Sequence, residues 1–261
     1  QLEDVLRRQM EKLQVEYRKR HESVLDEKGL ISVLTDNTKR VSTRTTELIV
    51  KENGCTQIVT IQFGEGFKRI AKITIGDHCC TKVAILSLSN LPSLKEVTVG
   101  VDSFTDKGNG PRSFSINSCS SLLRIVIGDG SFKEYCSMEL HNLPCFHTLA
   151  LGKRCFYSTS VFSLRDLNQL ESLTLGEEAF CNCQSVVLEN LSCLKSISLG
   201  KRAFCGDSNG NRKGSDKSPF DYKNTFTMKN CPSLTTIVGE SGNMSYFRSI
   251  VFCGFAEVTF H

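Results

Sequence analysis

Apolar and polar residues alternate in short bursts along most of this chain, and the bursts repeat. One phrase returns as Leu94-Lys-Glu-Val97-Thr-Val99-Gly100, Leu122-Leu-Arg-Ile125-Val-Ile127-Gly128, Phe146-His-Thr-Leu149-Ala-Leu151-Gly152, Leu170-Glu-Ser-Leu173-Thr-Leu175-Gly176 and Leu194-Lys-Ser-Ile197-Ser-Leu199-Gly200. An earlier copy is Ile70-Ala-Lys-Ile73-Thr-Ile75-Gly76, and a worn one, a residue shorter, is Leu234-Thr-Thr-Ile237-Val-Gly239. The glycines at 76, 100, 128, 152, 176 and 200 stand 24, 28, 24, 24 and 24 residues apart. A fixed period of this length is the signature of a stacked repeat architecture.

The register extends beyond the phrase. Four residues after the glycine comes Phe104, Phe132, Phe156, Phe180 or Phe204, with Cys80 in the first copy. A second alternation follows, as in Leu86-Ser-Leu88-Ser-Asn90-Leu91, Met138-Glu-Leu140-His-Asn142-Leu143 and Val186-Val-Leu188-Glu-Asn190-Leu191. Period-two alternation means a strand with one buried face, so each repeat holds two short strands. The glycine permits a tight turn that a side chain would obstruct, and the phenylalanine fills the interior. Asn at the second turn is expected to bond the backbone of a neighbouring rung. Cys119 and Cys231 occupy the Leu position of that motif and read as small buried hydrophobes. A single repeat cannot bury its apolar side, whereas stacked copies share a continuous core.

The phrase L-x-x-L-x-x-L-x-L-G with its trailing Phe, together with Asn90-Leu-Pro-Ser-Leu94 and Asn142-Leu-Pro-Cys-Phe146, resembles the leucine-rich-repeat superfamily, and within it the BspA-like group. The resemblance covers about residues 70 to 240. It implies a parallel-stranded solenoid and protein partners, and it brings no catalytic residues to carry over. The returning segment reads as strand where many such repeats have helix, so a flatter arc is expected. The fold class is therefore mainly β: a parallel-stranded leucine-rich-repeat solenoid of about 24-residue rungs, with an N-terminal amphipathic α-helix.

That helix is expected over residues 1–34. Leu2, Leu6, Met10, Leu13 and Tyr17 fall at spacings of three and four with charged residues between them. The stripe would pack on the first rung or on another helix, or form a coiled coil with a second subunit or partner. Residues 35–45, polar and rich in Thr, Ser and Asp, read as a linker, and 46–261 as the solenoid. Its first repeat is degenerate: Leu48 and Val50 mark one strand, and Val59, Ile61 and Phe63 another. Ile250 and Phe252, then Val258 and Phe260, suggest two closing strands without a polar cap, an edge that a further domain or a partner would cover.

Composition narrows the function. A net charge of +4 is too weak to indicate nucleic acid, and no apolar run is long enough for a membrane span. No signal-peptide pattern follows Gln1. Thirteen scattered cysteines, an odd number, fit a reducing cytoplasmic setting better than a disulfide framework, with the cell surface as the alternative. His21, His78, His141, His147 and His261 form no catalytic or metal pattern, and no phosphate or dinucleotide loop occurs. Neither enzyme activity nor a cofactor is expected.

The candidate partner-binding residues lie in three places. Thr98, Thr174 and Ser198 belong to the strip of outward positions on the first strand, together with Thr74, Val126 and Ala150. That strip is small and nearly uncharged, which suits either a partner lying close or tight bending alone. Lys107 and Arg112 lie in or beside an insertion, Thr105–Pro111, and Arg212, Lys213 and Lys217 lie in a second, from Gly206 to about Asn224. Both insertions fall between the Phe and the second strand, so they leave one edge of the stack, four repeats or roughly 19 Å apart. They are a binding face or tolerated loops. Leu6, Met10, Leu13 and Tyr17 offer a helical attachment. Asp207-Ser-Asn209-Gly-Asn211 falls short of a calcium loop, because Arg212 stands where Gly is needed.

Two smaller patterns remain. Lys153-Arg154, Glu177-Glu178 and Lys201-Arg202 alternate in sign at the repeat period and should pair between rungs. Cys181 and Cys205 share one repeat position with Cys183 nearby, which suits a metal or disulfide but better suits free buried thiols. A protein-binding scaffold or adaptor is the expected function. A surface adhesin or ligand-recognition domain, and a structural subunit of a large assembly, are the alternatives.

Overall fold

A computed structural model describes residues 30–38, 40–108, 110–206, 224–254 and 258–260. Its strands form two parallel sheets, one of ten strands and one of eight. The first strand of each rung enters the ten-stranded sheet. These are β1 (Ile31–Leu34), β2 (Glu47–Val50), β4 (Lys72–Ile75), β6 (Glu96–Val99), β8 (Arg124–Ile127), β10 (Thr148–Leu151), β12 (Ser172–Leu175), β14 (Ser196–Leu199), β16 (Thr236–Gly239) and β18 (Thr259–Phe260). The returning strands are β3 (Thr60–Phe63), β5 (Ile85–Ser89), β7 (Ser113–Asn117), β9 (Ser137–His141), β11 (Val161–Arg165), β13 (Ser185–Glu189), β15 (Asn224–Lys229) and β17 (Phe247–Cys253). The architecture is a parallel β-solenoid, with strand rather than helix in the returning segment.

Register is fixed by the alternation. Val97, Ile125, Leu149, Leu173 and Ile197 are consecutive partners across β6, β8, β10, β12 and β14, all nearly or fully buried. A slip of one residue would turn every one of these side chains to water. The 28-residue repeat keeps the ladder, because Thr105–Pro111 lies outside both sheets: Glu96 still pairs with Arg124 and Ile85 with Ser113.

The turn after the first strand rests on two columns. Gly76, Gly100, Gly128, Gly152, Gly176 and Gly200 have ordinary φ, so conformational freedom is not their purpose. A Cβ on Gly176 would lie 2.5 Å from the Gly152 carbonyl carbon, and one on Gly128 2.7 Å from that of Gly100. Only glycine lets the rungs approach this closely. The phenylalanines Phe104, Phe132, Phe156, Phe180 and Phe204 do adopt positive φ, between 48° and 58°. That conformation costs a non-glycine residue on the order of 1–2 kcal/mol, but it drives each ring fully inside. There the rings stack: Phe104 on Phe132 at 4.3 Å, Phe132 on Phe156 at 5.1 Å and Phe156 on Phe180 at 5.4 Å between centroids. Between the two columns the Ser103 hydroxyl donates to Gly76 O and that of Ser131 to Gly100 O, satisfying carbonyls the turn buries.

The second turn departs from the expectation. Asn90, Asn142, Asp166, Asn190 and Asn230 all have positive φ, which Asn and Asp tolerate best. The last three bond one another through their side chains, Asn190 Nδ2 to Asp166 Oδ1 at 2.8 Å and Asn230 Nδ2 to Asn190 Oδ1 at 3.0 Å, and Asn142 Nδ2 donates to Ser118 Oγ at 3.3 Å. The neighbouring backbone is bonded by these residues' own N–H groups, as from Asn190 to Lys229 O. Conformation, not backbone capping by the side chain, selects the residue.

The N-terminal boundaries also need correction. Residues 1–29 lie outside the described region, so the amphipathic helix with Leu6, Met10, Leu13 and Tyr17 does too. The last four residues of the segment read as helix, Ile31–Leu34, are strand β1, pairing in register with β2. Among the described residues the solenoid therefore extends back to Ile31, before 46, and the described part of 35–45 connects two of its paired strands rather than serving as a linker. Asp36 anchors that loop by accepting the Thr56, Gln57 and Ile58 N–H groups and the Thr56 hydroxyl. The Gln57 bond, aided by the others, holds its carboxyl below the usual value. Val59 precedes β3 and is 58% exposed, because it stands at the outward corner that Ser160 and Gln184 occupy in later rungs. At the other end β17 and β18 form as expected, but Ile250 and Phe252, the partners of buried Phe226 and Met228, are 44% and 41% exposed.

Candidate interaction surface

The outward side chains of the ten-stranded sheet form two columns, each rung placing one residue beside its equivalent at roughly 4.8 Å. One column runs Glu47, Lys72, Glu96, Arg124, Thr148, Ser172, Ser196, Thr236. The other runs Ile49, Thr74, Thr98, Val126, Ala150, Thr174, Ser198, Val238. The face thus divides into two halves of different chemistry.

In the N-terminal half charges of opposite sign alternate and neutralise one another. Glu96 Oε1 lies 2.8 Å from Arg124 Nη2 and accepts the Thr98 hydroxyl at 3.0 Å. Partial burial opposes ionisation of Glu96, but the Arg124 and Thr98 bonds and the Lys72 charge outweigh it and hold its pKa below the ordinary carboxylate value. In the C-terminal half, β10 to β16, the same column is entirely hydroxylic, and Ser172 Oγ reaches Thr148 Oγ1 at 3.5 Å. Thr174, Ser198 and Val238 stand exposed beside it, whereas Thr98 is half-buried and engaged by Glu96. The rim carries Leu123, 42% exposed, and the ion pair Glu171–Lys195 at 3.0 Å.

The glycine-turn edge carries the paired charges that the spacing predicts. Arg154 Nε lies 2.8 Å from Glu178 Oε2, Arg202 Nε 3.9 Å from Glu178 Oε1, and Lys153 Nζ 4.0 Å from Glu177 Oε2. Beside them is an open groove of about 410 Å³ lined by His78, Asp102, Lys107, Lys133, Glu134 and Arg154 among others. Lys107 is exposed on its wall. Arg112 is not free to meet a partner. Its Nε donates to Glu134 O at 2.8 Å, it pairs with Asp106 at 3.7 Å and it bonds Gly108 O, so it fastens the insertion to the rung behind. Arg212, Lys213 and Lys217 lie outside the described residues.

A scan against protein-family models, a search of curated proteins and a search of solved structures each found no match. Among the described residues no group of three or more His, Cys, Asp or Glu side chains is placed to hold a metal ion, and no helix is long and apolar enough to cross a membrane. The hydroxylic run Thr148–Ser172–Ser196–Thr236 was not singled out from the sequence, although its signal was there: the residue before each inward Leu or Ile changes from charged to Ser or Thr after Arg124.

Proposed function

We propose that this chain is a leucine-rich-repeat protein of the BspA-like kind, acting as a non-enzymatic scaffold, and that a protein partner lies across the C-terminal half of its ten-stranded sheet. The supporting observation is the stretch from β10 to β16, where both outward columns lack charge and large side chains. Cores of protein interfaces are depleted of charged residues and ringed by polar ones. Here the rim supplies the charge through Glu171 and Lys195. A flat ladder of small side chains also lets a partner's aromatic or Arg anchors approach the backbone closely, which long side chains would prevent.

The test is affinity purification from the native source with three versions of the chain. Thr174→Arg combined with Ser198→Arg places two charges in the neutral half, while Ser163→Arg places one on the eight-stranded sheet. All three positions face outward on strands, so stability should change little. The reading expects a partner retained by the parent chain and Ser163→Arg and lost by the double variant. Equal recovery from all three would exclude this face, and no co-purifying protein would exclude the scaffold role.

A second reading, a subunit built into a larger assembly, rests on exposed Ile250, Val251 and Phe252 at the last rung. It expects a stoichiometric complex that survives the Thr174/Ser198 double variant and is lost when Phe252 becomes Asp.

A further inference from the structure

The thirteen thiols are unpaired, and most of the buried ones are kept neutral by their surroundings. Burial raises Cys155 and Cys183 to about 12 and raises Cys119 and Cys231 as well. Two buried thiols are lowered instead: Cys55, beside Cys80, and Cys181. Fifth after Gly176, Cys181 sits on the same turn position as Tyr157 in the preceding rung and Cys205 in the following one. Those turns are bonded to each other just before the position, Glu178 N to Lys201 O at 2.8 Å and Phe204 N to Ala179 O at 3.0 Å. Their α-carbons are therefore about one strand spacing apart, within the range a disulfide spans.

Three polar side chains surround the Cys181 sulfur. Arg202 Nη2 approaches it to 4.0 Å, and the Cys205 thiol and the Tyr157 hydroxyl stand beside it on the neighbouring rungs. The Cys205 thiol is the largest influence; with the Arg202 contact it outweighs burial and lowers the Cys181 pKa, while that of Cys205 is raised. Arg154 and Lys133 each lie 5.9 Å from the Tyr157 ring centre, while Glu178, paired with both Arg154 and Arg202, opposes ionisation of Cys181. Cys181 and Cys205 are each 2% exposed, and the Arg202 side chain beside them is exposed. A thiolate held by an arginine, beside a second thiol at disulfide distance, is the arrangement of a reactive cysteine and its resolving partner.

We propose that Cys181 is a modification site oxidised by hydroperoxides such as hydrogen peroxide, and that Cys205 resolves it to an inter-rung disulfide. The Cys181 thiolate attacks one peroxide oxygen, the O–O bond breaks, and the departing hydroxide takes a proton from solvent. Sulfur is oxidised to the sulfenic acid and the peroxide is reduced to water. Cys205 then gives up its proton and attacks the Cys181 sulfur. The S–S bond forms as the S–O bond breaks, and the oxygen leaves as water. Arg202 and Tyr157 position and stabilise the first thiolate. A dithiol reductant reverses the sequence.

The test is peptide mapping of the full chain after brief exposure to hydrogen peroxide at pH 7 and alkylation. Exposed Cys136 and Cys145 serve as internal references for ordinary thiols. The expected result is a Cys181–Cys205 disulfide and a rate of Cys181 loss about tenfold above the two references, the gain expected when a thiol is mostly ionised. Cys205→Ser should leave a sulfenic acid on Cys181 that dimedone captures, and Arg202→Gln should slow the reaction and move its pH midpoint upward. The parent chain decides the matter even if a variant folds poorly. Loss of Cys181 no faster than that of Cys136 and Cys145, or oxidation without the 181–205 linkage, would overturn the proposal.

Discussion

The middle rungs and the last rung are built from the same phrase, yet their interiors differ. Between β8 and β14 every inward residue is covered by an equivalent on both sides, and Phe132, Phe156 and Phe180 form one stack with no exposed surface. In β17, the last strand of its sheet among the described residues, the equivalent inward residues Ile250 and Phe252 pair with β15 and remain more than two-fifths exposed. A rung is not stable because of what it contains. It is stable because of what lies above and below it, and that makes the cost of a substitution depend on position along the stack.

The comparison can be broken most forcefully at Leu173. Leu173→Asp puts a carboxylate at a site 1% exposed, and several kcal/mol are lost unless the rungs open. Hydrogen exchange should show several rungs losing protection together; loss confined to β12 would refute neighbour-dependent stability. Phe156→Ala comes next, at about 3–5 kcal/mol by chemical denaturation, whereas Phe252→Ala should cost about 1–2 kcal/mol because two-fifths of its surface is already wet. Equal losses for the two would contradict the account of the last rung.

The glycines sharpen the same contrast. Gly176→Ala forces a methyl against the Gly152 backbone at 2.5 Å and should cost about 1–3 kcal/mol. At Gly239 the nearest atom is the Asn243 side-chain oxygen at 3.1 Å, so Gly239→Ala should be close to neutral in thermal melts. The smallest effect concerns pH. Asp36 has a depressed pKa in the folded chain, so its contribution is complete above the unfolded value and is lost as the pH falls through the folded one. Amide protection in β1 and β2 should therefore decline below about pH 4 before that of β12 does. In Asp36→Asn the early decline of β1 should disappear.

What was legible in the chain was whatever repeats. Strand positions, inward residues and the fate of the phenylalanines followed from a 24-residue period, because each rung restates the same constraint and a single misleading residue is outvoted. The first rung has no such redundancy. Ile31–Leu34 looked continuous with an upstream helical pattern, and only pairing with β2 across a polar loop makes them strand, a long-range contact that local periodicity does not encode. Val59 shared the parity of Ile61 and Phe63, but alternation holds only inside a strand and Val59 stands at a corner. The outward strip was visible in Thr98, Thr174 and Ser198, and the switch from charged to hydroxylic residues after Arg124 was equally legible, whereas the pairing of those charges needed the cross-rung register. Arg112 looked like a surface handle, and its engagement by Asp106 and Glu134 could not be inferred from spacing.

The glycine column has one more consequence, for how such a chain changes length. Because each rung meets its neighbours through the same residues on both sides, an extra 24-residue copy spliced between two rungs would find its contacts already prepared. The extra segment between Phe104 and β7 leaves the flanking pairing untouched and marks the one corner where material can be added without a whole unit. Duplication in full units, with elaboration confined to that corner, is thus the route along which this molecule can grow or shrink without a new core.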